Sequence, residues 1–437
     1  MTGTNIKNIR SRAVWDSRGR PTVEASVELV NGAIGRAIAP AGASRGRHEA
    51  IELRDGAERL GGFGVERAIG NINGEIAKHL TGHDATDLRA VDAALTALDG
   101  TGQMARLGGN ATIAVSMAVL WASASAEGSA LYGYLGGDKQ DHLPHPEVQI
   151  FGGGAHAGRR VDIQDFMVVC PAAENFEHAL TMAAEVYHAA GAVMEETSNR
   201  HGVADEGGFW PAFDSNEAAL ETLVRAIERA GFRPYEEVAI ALDIAASEFY
   251  RDGHYHLTLD DQILSAAEFI QQILAWIERY PIVSVEDPLA EDDSRGLAEF
   301  CAAVPAYVQV VGDDCLVTNA ARVRASAAAK TCNAALIKPN QVGTVTATRE
   351  AFDAAQAAGW DTIISARSGE SEDVTIMHLA VGWGATQIKV GSMARSERTA
   401  KWNEGLRIRD ALARVHARTP RLSTPRWMTR PTTQASH

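Results

Sequence analysis

The stretch Asn333-Ala-Ala-Leu-Ile-Lys338-Pro339-Asn340-Gln-Val-Gly343-Thr344 decides how the rest of the chain is read. It reads as a short buried strand ending in a lysine, followed by a turn. A lysine that closes an apolar run loses hydration and is held by rigid backbone, so its pKa is expected to fall towards that of a useful base. The pattern recurs: Val238-Ala-Ile-Ala-Leu ends in Asp243, Ile282-Val-Ser-Val in Glu286 and Val308-Gln-Val-Val-Gly in Asp313. Further on, Thr362-Ile-Ile-Ser-Ala ends in Arg367 and Thr386-Gln-Ile in Lys389. Charged residues closing successive apolar strands outline the mouth of a barrel.

Around these strands lie helical runs at Asn216–Ala230, Ala266–Arg279, Ala320–Ala329 and Val345–Ala358. Strands and helices alternate from Leu143-Pro144-His145-Pro146 to about residue 416, which predicts a parallel sheet and a (β/α)₈-type barrel over residues 139–417. Upstream, Ile6–Trp15, Thr22–Val30 and Ile34–Ala39 are β-rich, and Asn31-Gly32 is a hairpin turn. This three-stranded meander and the helical region to about Ala126 predict an N-terminal α+β capping domain, residues 1–138. Its loop Pro40-Ala-Gly-Ala-Ser44-Arg45-Gly46 is built of small residues and is expected to move. Residues 418–437, rich in Thr, Pro, Arg and Ser, read as a flexible tail.

The chain has 437 residues, enough for two domains, with 46% apolar and 22% charged residues. A net charge of −15 argues against nucleic acid or anionic membrane as partners. No apolar run is long enough to span a bilayer, and no signal peptide is read at the N-terminus. Cys170, Cys301, Cys315 and Cys332 lack metal-like spacing and read as reduced core thiols, in keeping with a cytoplasmic protein.

Asp243, Glu286 and Asp313 are hard oxygen ligands on three strand ends and fit a Mg²⁺ site with positions left for water and substrate. Lys338 and Lys389 read as base and charge stabiliser. Removing a proton alpha to a carboxylate builds extra charge on its oxygens; a divalent metal and an ammonium stabilise that charge while a neutral lysine takes the proton.

Nearly the whole chain resembles the enolase family. The motifs occur in order: Asp16-Ser-Arg-Gly-Arg-Pro-Thr-Val-Glu24, Gly42-Ala-Ser44, His48-Glu49-Ala50, Asp205-Glu206-Gly-Gly, Ser247-Glu248-Phe249 and Tyr280-Pro-Ile-Val-Ser-Val-Glu286-Asp287-Pro288. They continue through Gly312-Asp313-Asp314, Lys338-Pro-Asn-Gln-Val-Gly-Thr, Arg367-Ser-Gly-Glu-Ser-Glu-Asp373 and Arg395-Ser-Glu-Arg-Thr-Ala-Lys401. The lysine-plus-magnesium logic is the established one of that superfamily. The resemblance implies an enolase-type barrel and a hydro-lyase acting on 2-phosphoglycerate or a close phosphorus-containing analogue. It implies two Mg²⁺ per site, the first on Asp243, Glu286 and Asp313 and the second with Ser44 and the phosphate. Lys338 would take the Cα proton, and Glu206 would assist loss of the β-hydroxyl in a group with His156 and Asp165. Lys389 would bind the carboxylate, and Arg367 with Ser368 the phosphate. A homodimer or larger assembly is implied, pairing a carboxylate like Glu24 with an arginine like Arg407.

Several substrate-contact positions depart from the family pattern. Ala366 stands where a histidine is usual, Asp165 replaces a glutamate, and Arg45 and Arg159 add positive charge. Those changes predict a diverged paralogue with an additional anionic group on its substrate, carboxyphosphonoenolpyruvate synthase of phosphinothricin-type biosynthesis being one such enzyme. The other readings are an ordinary glycolytic enolase, a non-catalytic enolase-fold binding protein, and a racemase or cycloisomerase of the wider superfamily.

Overall fold

The structure, a computed structural model, describes residues 3–43, 45–56, 58–136 and 141–429. Strands Ile6–Trp15, Pro21–Leu29 and Ile34–Ile38 form an antiparallel meander in chain order. Helix Gly109–Ala126 is apolar nearly all round and is buried against it. A Cβ at Gly35 would sit 2.1 Å from the Ala118 carbonyl oxygen, so only glycine lets strand and helix approach this closely. The expected boundary at residue 138 lies outside the described residues.

Strands His145–Gly152, Asp165–Val169, Ala239–Asp243, Ile282–Glu286, Gln309–Gly312, Ala334–Ile337, Asp361–Ser365 and Gln387–Gly391 close into a barrel. Each is buried along almost its whole length, as expected of strands covered by helices outside and filled by side chains inside. The helices between them begin on side-chain caps, among them Ser215, Ser265, Asn319 and Thr344, and Ser265 forms a capping box with Glu268.

The expectation of a wholly parallel sheet is corrected at one strand. Asp165–Val169 runs antiparallel to both neighbours. The link from Gly152 to Asp165 contains a single 3₁₀ turn, Gly154–Ala157, and no helix to carry the chain back across the barrel. Reversal has a functional consequence: the start of this strand, not its end, lies at the mouth.

The expected tail also changes. Arg421–Leu422 pairs with His142–Leu143, the Arg426 amide donates to Asp361 Oδ2 at 2.9 Å, and Trp427 is 2% exposed. One large aromatic ring anchors the segment through residue 429 despite its polar composition; the remainder lies outside the described residues.

Trp427 meets His145 edge-on, with ring centroids 4.7 Å apart. Burial outweighs a backbone hydrogen bond at Pro146 and pulls the imidazole down to about 3 from its ordinary 6.5. His145 is therefore neutral in the fold but charges in the unfolded chain below about pH 6.5. The unfolded state then binds more protons, so His145 costs stability progressively as pH falls from 6.5 towards 3. Replacing it with leucine should flatten the drop in Tm between pH 7 and pH 5; melting curves of the two proteins across that range check this.

Candidate active site

Barrel register sets the site. Asp165 is paired with Asp243 and Asp243 with Glu286, while Lys389 is paired with Ser365 on one side and Glu147 on the other. Paired residues on neighbouring strands share a face, so these groups occupy one level of the barrel. Lys389 was expected to close its strand; the strand runs on to Gly391, and Lys389 points inward from its middle. Its Nζ donates to Asp243 Oδ2 and Glu286 Oε2, each at 2.8 Å, and lies 3.6 Å from Asp165 Oδ2. Burial opposes its charge, but Asp243 and Glu286 dominate and raise the lysine well above its ordinary value.

Lys338, buried at the mouth, donates to Asp313 Oδ2, and Gln341 donates to Asp313 Oδ1 at 2.8 Å. The expectation of a lowered lysine pKa is corrected here. Burial does push Lys338 down, but contact with Asp313 more than offsets it and the net shift is upward. Sequence separation hid this: Asp313 lies on the neighbouring strand's end, 25 residues away.

The third cluster lines the loop after the first barrel strand. His156 Nδ1 is 2.9 Å from Asp165 Oδ1, and His156 Nε2 is 3.7 Å from Glu206 Oε1. Burial disfavours the imidazolium, but Asp165 and Glu206 outweigh it and hold His156 up at about 9. Asp165 shifts the other way: burial raises it and His156 more than offsets that. Glu206 is held by a tight turn in which Gly207 has φ +91°, and a Cβ there would lie 2.4 Å from the Ala394 carbonyl oxygen.

The fourth group joins the two domains. Arg367 Nη1 donates to Glu49 Oε2 and Asn340 Oδ1, each at 3.0 Å. Ser368 Oγ accepts from the Ala43 amide at 2.6 Å and from Arg18 Nη1 at 3.3 Å. Ala41 and Gly369 exchange backbone hydrogen bonds of 2.9 and 2.8 Å. The small-residue loop is thereby docked over the barrel mouth beside Arg367. Ser44 itself lies outside the described residues.

Two expected substrate contacts are not brought to this cluster as free charges. Arg45 is paired with Glu52, and Arg159 with Glu248 at 2.6 Å while its side chain is 68% exposed. Ala366 sits just beyond its strand end, 5% exposed, and its amide donates to the Lys389 carbonyl at 2.9 Å.

Sequence reasoning passed over the residues that brace the site. Asp287 accepts the Asp313 and Asp314 amides at 2.9 and 2.8 Å, spending both carboxylate oxygens on that turn. Arg398, fully buried, donates to the carbonyls of Arg367, Val390 and Ser368 at 2.6, 2.9 and 2.6 Å. Lys401 Nζ is 3.0 Å from Glu370 and 2.8 Å from the Ser371 carbonyl. The available signal was that each charge lies inside a recognised motif without a chemical task of its own.

A hard divalent cation fits Asp243, Glu286 and Asp313. Glu286 Oε1 is buried with no hydrogen-bond partner among the described residues. Burial and Asp243 push the Glu286 carboxyl well up although Lys389 opposes them. A buried carboxylate cluster short of positive charge, with a hard oxygen left over, has the donor set of a magnesium site. Among the described residues, two groups draw their ligand atoms within 4.8 Å of one another, His156 with Asp165 and Glu206, and Asp287 with Asp313 and Asp314; of the three assigned ligands only Asp313 belongs to one of them.

Comparison with known proteins agrees with this geometry. Residues 6–135 match the family model "Enolase, N-terminal domain", and residues 140–419 match "Enolase, C-terminal TIM barrel domain". Enolase 1 of Desulfitobacterium hafniense (strain Y51) is 46% identical over 415 residues, 94% of this chain and 95% of that protein.

Arg398 offers a test of the bracing. Arg398→Met leaves three buried carbonyls without their donor and should cost about 3 kcal/mol of unfolding free energy. Urea unfolding of the two proteins gives the difference directly.

Proposed function

The chain belongs to the enolase family of hydro-lyases, and on that premise we propose that it dehydrates 2-phosphoglycerate to phosphoenolpyruvate with Mg²⁺ on Asp243, Glu286 and Asp313. The observation that carries the reading is two buried lysines, Lys338 and Lys389, set around that carboxylate cluster at the barrel mouth.

Bound Mg²⁺ supplies charge stabilisation for the doubly negative carboxylate formed when the Cα proton leaves. Lys338 Nζ accepts that proton. To do so it must be neutral, and its attraction to Asp313 is what keeps it charged. Were Asp313 to hold a cation, burial and the nearby Arg367 and Lys389, all of which push Lys338 down, would meet less opposition. Lys389, which stays charged, holds the substrate carboxylate. On the other face of the substrate Glu206 delivers a proton to the departing β-hydroxyl, which leaves as water, and the His156–Asp165 pair maintains that group's orientation. Arg367 supplies a planar donor fork for the phosphate, with Ser368 beside it. A second Mg²⁺ with Ser44 and the phosphate completes the proposal on the family resemblance.

Two further assignments stand on the same resemblance. The proposed assembly is a homodimer in which Glu24 of one copy meets Arg407 of the other; within one chain Glu24 pairs with Arg12 at 3.0 Å and Arg407 with Glu404 at 2.9 Å. Placement in the cytoplasm accords with four free thiols. Among the described residues no helix is long and apolar enough to cross a membrane.

The altered-substrate alternative draws on the space left at Ala366, the shorter Asp165 and the charge of Arg45 and Arg159, and the phosphonate-forming synthase on that charge alone. Arg159 is held by Glu248 and Arg45 by Glu52, a carboxylate that Arg45 shares with Arg54, so neither arginine is left without a carboxylate partner.

A continuous ultraviolet assay of enolpyruvate formation tests the reading. Lys338→Ala should lower turnover of 2-phosphoglycerate by about 10³-fold or more. Removing metal with a chelator should abolish turnover and added Mg²⁺ restore it; activity that survives chelation would refute the metal assignment. Arg159→Ala should leave turnover within about threefold, as befits an exposed, separately paired charge.

A further inference from the structure

Outside the catalytic groups, one pair of reactive side chains stands apart. Cys315 Sγ and Cys332 Sγ are 3.8 Å from one another, and neither is bonded to another sulfur. Cys315 follows Asp313-Asp314 directly, and Cys332 opens the segment whose strand, Ala334–Ile337, delivers Lys338. The pair therefore bridges a turn that carries a metal ligand and the root of the strand that carries the base.

Access is asymmetric. Cys315 lines an outward-opening cavity of about 300 Å³ together with Glu291, Ser294, Leu297, Arg322 and Thr331. Cys332 is 4% exposed behind it. The Cys315 carbonyl is fixed by Arg322 Nε at 2.9 Å, and the preceding two amides are fixed by Asp287. A small oxidant reaches one thiol through the cavity while the second waits within van der Waals reach.

We propose that Cys315 and Cys332 form a reversible dithiol site, oxidised by hydrogen peroxide to a disulfide that loosens the metal site at Asp313. In the first step the Cys315 sulfur attacks the peroxide; the O–O bond breaks, a sulfenic acid forms and one water leaves. In the second the Cys332 sulfur attacks that sulfenic acid; an S–S bond forms and a second water leaves. Two electrons pass from the thiols to the peroxide, and a dithiol reductant reverses the change. A disulfide brings the sulfurs to about 2.05 Å. The braced turn at 313–315 must then give, because the strand root behind Cys332 is buried. The metal effect rests on the assignment of Asp313 as a ligand; the disulfide does not.

The experiment treats the full-length protein with hydrogen peroxide, alkylates it under denaturing conditions and maps linked peptides. Mg²⁺ affinity is measured by titration calorimetry before and after. Expected are a fall from four alkylatable thiols to two, a single Cys315–Cys332 crosslink, and Mg²⁺ binding weakened about tenfold, all restored by dithiothreitol. Cys332→Ser should give no crosslink and retain its Mg²⁺ affinity after the same peroxide treatment, measured before any reduction. Four free thiols after peroxide, a crosslink at other cysteines, or a Cys315–Cys332 bond with unchanged Mg²⁺ affinity would overturn the proposal. Failure of the untreated protein to bind Mg²⁺ would instead count against the metal assignment, while the peptide map still judges the disulfide.

Discussion

The polar level of the barrel is organised around one buried cation. The Lys389 ammonium sits among Asp243, Glu286 and Asp165 inside the barrel, with Glu147 paired to it in register. Burial pushes Glu147 up to about 7 although Lys389 works against it. A cluster of this kind contributes little net stability, because desolvation of its charges consumes most of their attraction. Apolar layers below it and covering helices outside hold the barrel shut. What the cluster does is fix a strong, preset field at the one level where the strands present their polar ends, and a preset field costs nothing to reorganise during a reaction.

The barrel alone does not complete the site. Its Arg367 side is assembled by the capping domain: Glu49 orients Arg367, Arg18 and the Ala43 amide hold Ser368, and the Ala41–Gly369 ladder fastens the loop that carries Ala43. Behind Arg367, Arg398 spends its guanidinium on backbone carbonyls rather than on substrate. Glu49 and Arg367 are a satisfied pair in this arrangement, so on the proposed reading a phosphate at Arg367 competes with a carboxylate for the same donors.

What was legible in the sequence follows from how each charge is presented. Asp243, Glu286, Asp313 and Lys338 each close an apolar run, and a run of four or five buried residues ending in a charge is a pattern a reader can find. Asp165 begins its strand because that strand is reversed, so no rule about strand ends reaches it, and resemblance alone supplied it. The rise in Lys338's pKa was illegible because its cause is a contact between strands, and sequence gives no distance between Lys338 and Asp313. Asp287 and Arg398 were passed over for a related reason: their partners are backbone groups, which look the same in every sequence. The tail misled through composition, since a Thr- and Pro-rich segment dilutes the single Trp427 that docks it.

The departures from the family pattern can be weighed by what each does to the field at the mouth. Arg159 arrives with Glu248 as its partner, whereas Arg45 shares Glu52 with Arg54, so only the first added charge is cancelled locally. Asp165 keeps the carboxylate and its bond to His156, losing only a methylene of reach. Ala366 lacks the imidazole ring usual at this position but keeps the backbone link by which its amide holds the Lys389 carbonyl, so the strand carrying the central cation has no reason to shift. Neither added arginine pairs with the groups around the lysines, and the change in space is confined to the position above Ala366. A substrate discriminated mainly by its carboxylate and phosphate meets nearly the same field, whereas one discriminated by bulk near Ala366 does not.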